Sequence, residues 1–119
     1  MILQNPFPPE VRNLYLGVWY CFYVDEDGNE CNSNGVGRGG LELHHILGRI
    51  SGCAFNSCLL CGECHRKIVH NLDEHRRLFV QTLKFLLSVN YETKDEDIQF
   101  VAKNDTVLTG KYLDVWLTS

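Results

Sequence analysis

Four of the five histidines and four of the six cysteines of this chain fall in one segment, residues 41–70, "LELHHILGRISGCAFNSCLLCGECHRKIVH". These side chains bind zinc and other borderline metals, so a chain that crowds them together is steered toward a fold in which several share an ion. Cys61 and Cys64 form a C-x-x-C knuckle followed directly by His65, and His44 and His45 stand side by side upstream. Successive side chains of a strand point to opposite faces, so a regular strand over 41–46 cannot aim both histidines at one metal. A kinked strand end would let one ligate while the other reaches a substrate.

Six cysteines could form three disulfides, but that reading wants a secreted context, and several of these cysteines sit at metal-ligand spacing. The opening "MILQNPFPPEVRN" has no basic region before a long apolar run, and no stretch of about 18 apolar residues occurs. The expectation is a soluble, intracellular, cytoplasmic protein with reduced thiols. At 119 residues and 45 % hydrophobic, the chain suits a single domain, 1–119. Its net charge of −4 argues against a nonspecific coat on nucleic acid, while Arg38, Arg49, Arg66, Lys67, Arg76 and Arg77 leave room for a local basic face.

Along the chain, "NPFPPEVRN" predicts a short helix from Pro9. "LYLGVWYCFYV" (14–24), aromatic and β-branched, predicts a strand, and "DEDGNE" a reversal. Residues 31–40, rich in Gly and Asn, predict a loop, 41–46 a short strand, and Gly62 or Glu63 a helix start. Over 72–89, Leu72, His75, Phe79, Leu83, Leu86 and Leu87 recur on one helical face, with Asn71 as N-cap and Glu74 in the capping-box position. A further helix is expected over 93–104, capped by Thr93, and the closing 106–119 is ambiguous between strand and helix. Trp19 and Trp116 are expected in the core, and Arg76 and Arg77 as exposed candidates for DNA contact.

The order His44-His45, Asn56, then "CGECH" (61–65) resembles the HNH endonucleases, the ββα-metal or His-Me finger nucleases that include many phage enzymes. The resemblance spans about 41–70, perhaps from Cys21. It implies an α+β fold, a ββα-metal finger on a zinc knuckle (about 21–70) with a mainly helical extension over 71–119. By position it makes His45 the general base, His44 and His65 the ligands of a catalytic divalent ion (Mg²⁺, Mn²⁺ or Ni²⁺), and Asn56 the residue that holds the hairpin and the base. It implies DNA as partner and, by family, a phage origin in a bacterial host. The chain departs from the family in having "HHILGR" where a proline often follows the base. His70, where some members have a third ligand nearby, lies five residues past His65, roughly 140° around an ideal helix.

The chemistry is coherent on the residues alone. Phosphodiester hydrolysis needs a base active near neutral pH and a cation against the charge on phosphate. Two protein ligands leave such a cation open, whereas a structural site is closed by four. Cys61 and Cys64 therefore suit a structural Zn²⁺ that needs two more ligands. Cys21 and Cys31, bracketing the acidic turn, are the chosen pair, as many HNH enzymes add an earlier cysteine pair. Cys53 and Cys58 compete for the place, and Cys58-x-x-Cys61-x-x-Cys64 could hold an iron–sulfur cluster. Arg49 reads equally as a solvated loop residue and as a phosphate clamp, and His70 as a phosphate contact or a surface residue. The rival to a nuclease is a non-catalytic zinc-binding module that binds nucleic acid or protein.

Overall fold

The computed structural model describes residues 7–48, 50–68 and 71–108. Arg49, His70 and Trp116 lie outside the described residues, as does the closing segment beyond 108.

Pro9 opens helix α1 (Pro9–Leu14) at the first helical position, where a missing N–H costs nothing. Beyond it, residues 14–24 do not make the expected strand. Leu14 ends α1, Gly17 turns the chain at φ 86°, and 18–24 runs extended with a single bridge, Val24 to Glu30. A strand needs one continuous partner, and here the donors go to several places. Cys21 N–H reaches Ser33 O, Phe22 N–H reaches Leu59 O, and Cys31 N–H reaches Tyr23 O. Trp19, expected in the core, is 64 % exposed.

Strand β1 (Leu41–His45) pairs antiparallel with β2 (Ser57–Cys61), Leu41 opposite Cys61 and His45 opposite Ser57. The loop between them ends in a 3-10 turn, Ala54–Asn56. All five residues of β2 are buried, because the 18–24 arm crosses one side through the Phe22–Leu59 bond and α3 packs on the strand. Helix α2 (Gly62–Lys67) follows β2 without a linker, giving the order strand, strand, helix.

Helix α3 (Leu72–Ser88) starts where Asn71 caps it, Asn71 Oδ1 accepting the Glu74 N–H at 2.9 Å. Its buried face is set by Leu78, Phe79, Thr82, Leu83, Phe85 and Leu86. Leu72 and Leu87, expected on that face, are exposed, Leu72 because it lies in the first turn beyond the core and Leu87 because it follows the stripe on the outer side. Arg77 is half-buried rather than free for DNA, its Nε–H donating to Val24 O at 3.0 Å and so holding the 25–30 turn.

Helix α4 runs Asp95–Leu108, with a non-helical residue at Asn104 (φ −122°, ψ 21°) where the expected helix stops. Thr93 lies upstream of its start and is not the cap. The buried carboxylate of Asp97 takes the Lys94 N–H instead and also accepts from Tyr91 Oη and Phe55 N–H. The described residues bury one hydrophobic cluster reaching from Phe7 to Val101, an α+β arrangement of a two-stranded sheet and four helices. Among them no helix is long and apolar enough to cross a membrane.

Candidate metal centres

The C-x-x-C knuckle straddles an element boundary. Cys61 ends β2 and is the N-cap of α2, its Sγ accepting the Cys64 N–H at 3.4 Å. One helical turn on, Cys64 points the same way. The other half of the centre comes from the N-terminal arm. Asp25 folds the arm back by accepting the Asp27 and Asn29 N–H groups on Oδ1, at 2.9 Å each. Those bonds, the Asn29 N–H foremost, hold its carboxyl below the usual range. The turn brings Cys21 and Cys31 together. The sulfurs of Cys21, Cys31, Cys61 and Cys64 all lie within 4.8 Å of one another.

Four thiolates around a zinc at about 2.3 Å stand roughly 3.8 Å apart, so this cluster closes on such an ion by a small contraction. All six cysteines are free thiols. Cys53 and Cys58 are buried outside the cluster, and burial pushes the Cys53 thiol up to about 11 and that of Cys58 well above its ordinary value. Within the cluster the thiols are not equivalent. Burial pushes Cys21 up to about 11. Burial also opposes ionisation of Cys61, but the Cys64 N–H, the Arg38 guanidinium and the neighbouring thiols outweigh it and hold Cys61 at about 6. Cys64 is raised, by burial and then by its bond with Cys61.

Sequence reasoning missed what covers this cluster. The glycine-rich loop lies over the start of α2, the Arg38 and Gly40 carbonyls accepting the Glu63 and Gly62 N–H groups at 2.8 and 3.0 Å. A Cβ at Gly62 would stand 2.9 Å from both Arg38 O and Gly39 Cα, so only glycine admits the approach. Arg38 then reaches Cys61 Sγ through Nε at 3.3 Å and Cys64 Sγ through Nη2 at 3.7 Å, while Nη1 pairs with Glu63 at 3.4 Å. The available signal was the glycine directly after Cys61, facing a loop with Gly39 and Gly40.

The histidines separate as an unkinked strand requires. β1 stays in register through His45, so His44 and His45 face opposite sides. His44 meets His65 of α2, ring centroids 4.8 Å apart and planes at 63°. Two imidazoles in neighbouring positions on one ion, each bound through nitrogen at about 2 Å, bring their centres to roughly 5 Å, so the pair suits a shared cation. Glu42, two residues before His44 on the same face, approaches His65 Nδ1 at 3.4 Å and was not anticipated. His45 turns inward against Phe7.

Asn56 is fully buried and staples the loop after β1. Its Oδ1 accepts the Leu47 N–H at 2.9 Å, and its Nδ2 donates to Gly48 O and Ser51 O at 3.0 and 2.7 Å. Its own carbonyl accepts the Ile46 N–H at 2.8 Å. The structure thus brings together Cys21, Cys31, Cys61 and Cys64 in one cluster and His44 with His65 beside it. Comparison of the chain with protein-family models, with curated proteins and with solved structures finds no match in any of the three.

Proposed function

We propose that this chain is a metal-dependent DNA endonuclease of HNH type, hydrolysing phosphodiester bonds at a divalent cation held by His44 and His65, with a structural zinc on the four cysteines. The observation that carries the reading is the approach of the His44 and His65 rings to 4.8 Å, one from a strand and one from the helix that follows its hairpin partner. A cation bound there, Mg²⁺, Mn²⁺ or Ni²⁺, supplies positive charge against the phosphate oxygens and the departing 3′-oxygen. By the HNH resemblance His45 takes the proton of the attacking water, imidazole being the side-chain base suited to neutral pH, although it lies on the opposite face of β1 from His44 and against Phe7. Asn56 is a positioning residue, since its three side-chain bonds fix the loop that leaves His45. With the net charge at −4, DNA contact falls to local cations such as Arg66 and Lys67 in the last turn of α2.

Plasmid nicking with Mn²⁺, with and without EDTA, tests the reading. His45→Ala should lose cleavage by about 10²-fold or more while nearly keeping calorimetric Mn²⁺ affinity. His44→Ala and His65→Ala should lose both. Equal metal loss in all three variants would overturn the roles. The cysteine cluster also fits a second reading, a zinc module that binds nucleic acid or protein without cutting it. A zinc-loaded wild-type chain that binds DNA and cleaves none with any of the three cations would select that reading.

A further inference from the structure

We propose that Phe7 is a positioning residue for His45, its ring lying flat on the imidazole and fixing the imidazole plane. The catalytic consequence rests on the reading of His45 as the base; the positioning itself does not.

The two rings are stacked, with centroids 3.8 Å apart and planes within 7°, and both residues are buried. With centres at contact distance and planes this nearly parallel, neither ring can turn out of the stack without clashing with the other. The need for it is local. The χ2 torsion of histidine is broad, so a rotamer sets where the imidazole lies but not its plane. A flat neighbour removes that freedom.

The chain that follows Phe7 is built to hold it there. Pro8 fixes the next step (φ −68°, ψ 159°), and its carbonyl accepts the Val11 and Arg12 N–H groups at 3.0 and 3.1 Å. Pro9 then begins α1, whose Val11 is buried in the core. At the end of α1, the Tyr15 hydroxyl bonds Ser57 Oγ at 2.7 Å. Ser57 is the residue paired with His45 across the hairpin. The two ends of the stack are therefore tied to one pair of facing residues by a stiff, proline-started arm.

Phe7→Leu keeps an apolar side chain and removes the stack, and Phe7→Tyr keeps the ring. Protons above an aromatic face resonate upfield, so the His45 Cε1–H signal, identified by its absence in His45→Ala, should be upfield in the wild type and in Phe7→Tyr. In Phe7→Leu it should return to the ordinary histidine range, with zinc content and far-UV circular dichroism at wild-type level. Cleavage by Phe7→Leu should fall in kcat by up to about a hundredfold, with KM and Mn²⁺ affinity near wild type. An ordinary His45 shift in the wild type would overturn the proposal. So would a Phe7→Leu chain whose signal returns to the ordinary range while kcat is unchanged. A wild-type chain that cleaves nothing would overturn the reading of His45 as base, and the resonance comparison alone would then uphold or overturn the positioning.

Discussion

Arg38 shows how much a single side chain's role depends on what the fold sets beneath it. Four thiolates on a zinc ion carry two net negative charges, and a guanidinium donating toward two of the sulfurs lowers the cost of gathering them. Its own proton is held more tightly for the same reason, chiefly by the bond to Cys61. Partners of metal ligands typically matter by about 10- to 100-fold in affinity, and Arg38 is partly exposed, so the low end applies. Arg38→Gln should therefore release zinc to a chromogenic chelator up to about tenfold faster than wild type, and Arg38→Lys, which keeps the charge but not the fork, should fall between. Identical release by all three chains would show that Arg38 serves only its pair with Glu63. In the sequence Arg38 was one basic residue among several, because nothing in its neighbours announces that the loop folds back over a helix start.

At the scale of elements, what was legible depended on whether the signal is local. The start of α3 could be read because Asn71 caps it through the Glu74 N–H, and α1 because Pro9 suits the first helical turn. The 14–24 arm was misread because its aromatic and β-branched residues suit a strand, whereas its donors are satisfied by Ser33 and Leu59. That irregular course is what lets Cys21 and Cys31 approach the knuckle from the far side of the turn at 25–30. Neither spacing nor composition separates these two from Cys53 and Cys58, which are as buried or more so. The distinction is one of position, and it predicts metal content. Elemental analysis should find about one zinc per chain in Cys53→Ala and Cys58→Ala, and less in Cys21→Ser, Cys31→Ser, Cys61→Ser and Cys64→Ser. Because the site hardly exists in the unfolded chain, metal affinity is folding energy. Loss of a few kcal/mol, at about 4 °C or more each, should lower the melting temperature of the zinc-free variants by at least about 10 °C. Full zinc in Cys21→Ser with loss in Cys58→Ala would assign the centre to the 53–64 segment.

Across the whole molecule, the helices after residue 71 are more than an extension. Asp97 of α4 accepts the Phe55 N–H in the turn that carries Asn56, so the C-terminal helix braces the loop that Asn56 staples. The same carboxylate accepts the Tyr91 hydroxyl, while at the other end of the core Tyr15 ties α1 to Ser57 of β2. Both phenols are held far above their ordinary value, Tyr15 by burial, and Tyr91 by burial and then by the Asp97 carboxylate. A raised folded pKa means that the fold favours the protonated phenol. Its stabilising effect is fully present below the unfolded value of about 10 and is lost as pH rises above it. The chain has five tyrosines, so excluding these two, no more than three should give phenolate absorbance while far-UV circular dichroism stays native. The absorbance of Tyr15 and Tyr91 should appear together with unfolding, and Tyr91→Phe should reduce that late step by about half. Ionisation of all five in one transition near pH 10 with native dichroism would show that neither hydroxyl is engaged, and that the brace between α4 and the loop does not hold.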